Sequence, residues 1–115
     1  MLENFYIGKK KIGKNCPTYF IADIAANHDG NLDKALELIN KLAEAGADAA
    51  KFQHFSAETI VSDYGFKSLG TQKSHQAKWE KTVFEVYKDA SIPLEWTPKL
   101  KKEIKKNNIE FLTSP

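Results

Sequence analysis

The chain has 115 residues, 42% apolar and 28% charged, a balance that suits one folded domain and excludes a disordered segment. Its apolar runs are a few residues long, far short of the ~18 that a membrane-spanning helix requires. Seventeen lysines, no arginine and 15 acidic residues leave a net charge of +2; without the bidentate arginine fork, such a surface argues against a nucleic-acid partner.

Glu3, Asn4 and Lys9–Lys11 break up the N-terminus, so no signal peptide is expected. The single Cys16 cannot build a disulfide framework, and both features point to the cytoplasm. Residues 1–16 hold Phe5-Tyr6-Ile7 and Lys11-Ile12 around Gly8, which predicts a short β-hairpin ahead of the main unit, residues 17–115. After Pro17, Tyr19-Phe20-Ile21-Ala22-Asp23-Ile24-Ala25 is almost continuously apolar and predicts a strand covered on both faces. The polar turn Asn27-His28-Asp29-Gly30 leads to Leu32, Ala35, Leu36, Ile39, Leu42 and Ala43 at helical spacing. Asn31 suits the N-cap of that helix and Gly46 its left-handed end. Ala49-Ala50-Lys51-Phe52-Gln53 then predicts a second strand, parallel to the first.

Residues 56–76 contain Gly65 and Gly70 and read as a long irregular stretch. A second helix is expected over 77–88, and a third opens with Thr97 as cap and Pro98 in the first turn, running to Lys106. Lys99, Lys101, Lys102, Lys105 and Lys106 on that helix read as a solvated face. Ile109-Glu110-Phe111-Leu112 predicts a third strand. Alternating β and α elements imply a parallel α/β sheet.

Ligands of such sheets bind beyond the carboxyl ends of the strands, and Asp23, Asn27, His28, Lys51, Gln53, Thr113 and Ser114 collect there. Lys51 stands in an otherwise apolar strand, where an ammonium needs a carboxylate or a bound anion. It either pairs with Asp23 as a structural ion pair or holds a phosphate or carboxylate of a substrate. Asp23 is open to the roles of general base, substrate ligand and structural partner. Thr113-Ser114 is either an anion cradle or a plain helix cap. His28, His54 and His75 have no zinc-like spacing, so this chain is expected to hold no metal ligand. Neither a dinucleotide-binding nor a P-loop glycine motif is present.

Ile21-Ala22-Asp23-Ile24-Ala25-Ala26-Asn27-His28-Asp29-Gly30, Ala43-Glu44-Ala45-Gly46-Ala47-Asp48-Ala49-Ala50-Lys51-Phe52-Gln53 and Ile109-Glu110-Phe111-Leu112-Thr113-Ser114-Pro115 together resemble the opening of the sialic acid synthase family. The resemblance implies the N-terminal portion of a (β/α)8 barrel, about three of its strands, in a fold of about 250 residues. It implies condensation of phosphoenolpyruvate with an N-acetylated hexosamine to give a nonulosonic (sialic-type) acid. By the same resemblance Asp23, where the family more often has Glu, is the catalytic carboxylate. Lys51 meets phosphoenolpyruvate, Gln53 the sugar, and Asn27, His28, Thr113 and Ser114 complete substrate binding. A divalent metal (Mn2+ or Mg2+) with ligands outside this chain and a full-length homodimer are also implied. As a 115-residue piece the chain is expected to be inactive. The alternatives are a noncatalytic truncated product or small anion-binding module, or another phosphoenolpyruvate-using sugar-acid synthase.

Overall fold

A computed structural model of the chain describes residues 3–60, 62, 64, 65 and 82–115. The predicted hairpin is present: β1 (Phe5–Ile7) runs antiparallel to β2 (Lys10–Ile12), with Phe5 opposite Ile12. Its turn holds Gly8 at φ +58°. Only glycine suits that place, because a Cβ would be strained there and would overlap the Glu110 carboxylate. Lys10 pairs with Asp48, whose second oxygen accepts the Phe20 N–H at 2.8 Å, so the hairpin is tied to the amino end of the main sheet.

That sheet is three-stranded and parallel, in the order β3 (Ile21–Asp23), β4 (Ala49–Gln53), β5 (Glu110–Ser114). Asp23 lies beside Lys51, Lys51 beside Leu112, and Gln53 beside Ser114. Between β3 and β4 runs α1 (Leu32–Glu44), capped by the Asn31 side chain, which accepts the Lys34 N–H at 3.0 Å. Past its end Gly46 takes φ +95°, as expected of a left-handed terminator.

Inside the stretch read as irregular, Ala57–Ile60 forms a short helix, α2. Apart from residues 62, 64 and 65, the remainder of 61–81 lies outside the described residues. The helix expected over 77–88 is described from Val83 and continues to Ala90 as α3; the Thr82 side chain and Glu85 close a capping box at its start. A 3-10 turn, Leu94–Trp96, leads straight into α4 (Thr97–Lys106). That continuity displaces the expected cap. Thr97 already has helical angles, φ −52° and ψ −47°, so Trp96 occupies the cap position without a side-chain bond. At the other end Asn107 donates to Glu103 O at 2.9 Å and Asn108 turns left-handed at φ +57°.

The core lies between the helices and one face of the sheet. Ile24, Ala50 and Phe52 meet Ala35, Ile39, Leu100 and Ile104, and Phe111 and Trp96 close around them. The Phe52 and Phe111 rings stack 5.7 Å apart. Full burial of a side chain such as Phe52 or Leu100 contributes roughly 1.5–3 kcal/mol. The expected covering of β3 on both faces is not found: the helices take the Ile24 side, and Ile21 remains 49% exposed.

Candidate functional site

Side chains alternate along a strand, so burial of Ala50 and Phe52 against the helices turns Ala49, Lys51 and Gln53 to the opposite, inner face. The register carries this division across the sheet. Asp23 joins Lys51 on the inner face of β3, and Leu112 and Ser114 join it on β5. Asp23, Lys51, Gln53 and Ser114 therefore form one polar group at the carboxyl ends of three adjacent strands, with neighbouring strands about 4.8 Å apart.

Although side by side, Asp23 and Lys51 form no ion pair among the described residues. One Asp23 oxygen accepts the Ala25 N–H at 3.1 Å. Lys51 is half-buried, and no carboxylate lies within ion-pair distance of its ammonium among the described residues. An ammonium so placed, next to an amide and a hydroxyl, can hold an oxyanion by charge while Gln53 and Ser114 donate hydrogen bonds.

The other candidates sit elsewhere. Thr113 faces the helices with Phe111 and lies 2.5 Å from His54 Nδ1. Asn27 is exposed at the rim and donates its side-chain amide to Ile24 O at 2.9 Å. His28 is completely buried. Its Nδ1 accepts the Gly30 N–H at 3.0 Å, and its ring meets Trp96 edge-on, centroids 5.5 Å apart. The proton of the neutral imidazole therefore sits on Nε2, which has no partner among the described residues. Burial pushes this imidazole below the ordinary histidine range, and the nearby Asp29 opposes that only in part.

Two clefts open at the same rim. One of 530 Å³ lies between Ala26 and Gly30 of the β3–α1 turn and Val86 and Ala90 of α3. The other, of 410 Å³, lies between His54, Ile60, Ile92 and Leu94. No group of three or more metal-ligating side chains is found among the described residues. The histidines described do not fit a metal site either. Thr113 and Thr97 hydroxyls take both His54 nitrogens, and His28 is sealed in the core.

The sequence places His54 at the carboxyl end of the second strand, but its bonds were not legible there because its partners lie 43 and 59 positions away. The signal that does exist is local: Phe111 is a core residue two positions before Thr113, and period two then assigns Thr113 to the helix side and Ser114 to the inner side.

Residues 38–115 match the NeuB family. Over 96% of its length the chain is 36% identical to the spore coat polysaccharide biosynthesis protein SpsE of Bacillus subtilis, of which it covers 28%. It is 32% identical to the N,N'-diacetyllegionaminic acid synthase of Legionella pneumophila over 93% of this chain and 30% of that protein. The solved N-acetylneuraminic acid (sialic acid) synthetase of Leptospira borgpetersenii, in complex with citrate, superposes with a TM-score of 0.74 at 30% identity, over 98% of this chain and 34% of the other. The chain thus spans less than a third of the length of these curated relatives.

Proposed function

The chain belongs to the NeuB family, and from that premise we propose that it forms the first three strands of a (β/α)8 barrel that condenses phosphoenolpyruvate with an N-acetylated hexosamine. In this reaction the enol carbon of phosphoenolpyruvate bonds to the sugar aldehyde carbon. Water then adds to the former enol centre, and phosphate departs with C–O cleavage. The observation that carries the reading is Lys51: a half-buried ammonium on the inner face, without an ion pair among the described residues, flanked by Gln53 and Ser114. It supplies the fixed positive charge that a phosphate or carboxylate needs, in a position set by the sheet before substrate arrives. Ser114 and Gln53 orient the bound oxyanion and the sugar. Asp23, held by the Ala25 N–H, is the carboxylate closest in register to Lys51 and accepts hydrogen bonds from substrate hydroxyls.

Relatives of the family are synthases of sialic, legionaminic and pseudaminic acids. The divalent metal of such enzymes would polarise the aldehyde, but the described residues offer it no ligand cluster, so no step here is assigned to it. The 115-residue chain alone is inactive on this reading, and the complete enzyme is a cytoplasmic homodimer. In the complete enzyme, phosphate release from phosphoenolpyruvate should require an N-acetylated hexosamine, and Lys51→Ala should lower kcat/KM about 100-fold, the loss of a charge-assisted contact. Release that proceeds without the amino sugar would remove this reading.

A further inference from the structure

His54 is the first residue beyond β4, and three bonds from it converge on neighbouring elements. Its backbone N–H donates to Ser114 O at 2.8 Å, extending the parallel ladder past Gln53. On the helix side of the sheet, its Nδ1 lies 2.5 Å from Thr113 Oγ1 and its Nε2 3.0 Å from Thr97 Oγ1. The imidazole also rests against Phe111, centroids 6.1 Å apart. A neutral imidazole donates from one nitrogen and accepts at the other; a threonine hydroxyl can do either, so both bonds form together in either tautomer.

We infer that His54 is a positioning residue that fixes the Ser114 hydroxyl opposite Gln53 for the substrate anion, an inference that rests on the proposed site. Ser114 lies at the end of β5, where a ladder frays unless it is held. His54 holds it from two directions. The backbone bond fixes the Ser114 carbonyl, and the imidazole fixes Thr113, so the peptide between them cannot rotate and the Ser114 side chain stays on the inner face. The bond to Thr97 ties the same point to the first turn of α4, the helix that leads into β5. The imidazole lies on the helix side of the sheet, away from the inner face, so His54 acts through Ser114.

Calorimetric titration of the complete enzyme with phosphoenolpyruvate tests this. His54→Phe keeps ring volume against Phe111 and removes both hydroxyl bonds; affinity should fall about tenfold, the worth of one well-oriented hydrogen bond. His54→Asn places a polar atom where Nδ1 stands and should recover affinity to within about threefold, whereas His54→Gln, which reaches only toward Thr97, should bind as the Phe variant does. Should His54→Phe fail to fold, Thr113→Val removes the same bond from its other end and should weaken binding equally. Rescue by Asn but not Gln separates positioning from a general loss of packing. Unchanged affinity in the Phe and Val variants, or equal losses for Asn and Phe, would overturn the role of His54 while Lys51→Ala still weakens binding about 100-fold. Binding left unchanged by Lys51→Ala, or an unaltered complete enzyme that does not bind, would instead overturn the site on which the inference rests.

Discussion

Ala25 shows how much a single residue can cost at the rim of a site. It stands at φ +48° in the turn after β3, a conformation that disfavours any Cβ, and its N–H holds Asp23. Ala25→Gly should therefore raise stability by about 0.5–1 kcal/mol, the relief of strain exceeding the added freedom of the unfolded chain. Urea unfolding measures it, and a lower midpoint would show that the turn carries no such strain. The inner-face polar set was partly legible residue by residue. Lys51 stands out because a charge in an apolar strand needs a partner, and Gln53 follows from period two. Ala25's backbone angle was not legible, since nothing local in Ala25-Ala26 forces a left-handed turn. The burial of His28 was not legible either, because Trp96, which meets its ring, lies far along the chain.

At the level of elements, the regular pieces declared themselves and the joints did not. The repeat of Ala35, Ile39 and Leu42 with an Asn31 cap specified α1 almost to the residue, because local hydrogen bonding and one apolar stripe suffice. The start of α4 shifted because the preceding 3-10 turn is stabilised by a bond from Trp96 N–H to Pro93 O, which no cap motif announces. The joint between hairpin and sheet is electrostatic and is tunable by acid. The Lys10 bond, first, and the Phe20 N–H hold the Asp48 carboxyl below the usual carboxylate range. A carboxyl depressed on folding stabilises the folded chain above its unfolded value, about 4, and that contribution is lost as pH falls through the lower folded value. Asp48→Asn should therefore be less stable than the unaltered chain at about pH 6, with the gap shrinking toward about pH 2.5. Thermal melts across that range give the comparison; a gap constant with pH would show that the carboxylate charge contributes nothing. The other depressed carboxyls, among them Asp29, Glu37 and Glu58, titrate in both proteins and cancel in the difference.

For the molecule as a whole, helices cover one face of the sheet, and the other displays the candidate site. Among the described residues β3 and β5 each have an outer edge without a partner strand. Phe20 and Ile21, 61% and 49% exposed, lie along the β3 edge. Open strand edges and exposed apolar side chains promote association. The 115-residue chain prepared by itself should sediment as concentration-dependent oligomers and bind a hydrophobic dye; a monomer that melts cooperatively and leaves the dye dark would contradict this. The alternation of strands and helices was enough to predict the parallel architecture. Which face of the sheet is open depends on where the helices pack, and the strands' own residues carry that information only through Phe52 and Phe111.

The odd–even division of β4 has an evolutionary corollary. Losing or gaining one residue between Ala49 and His54 would exchange the two populations of side chains, driving the lysine ammonium among the helices and presenting a phenyl ring to the reactants. Point substitution can explore this strand one position at a time, but a frame-preserving codon insertion or deletion cannot. Length variation among descendants of this gene should therefore accumulate in the connections and be purged from this pentapeptide.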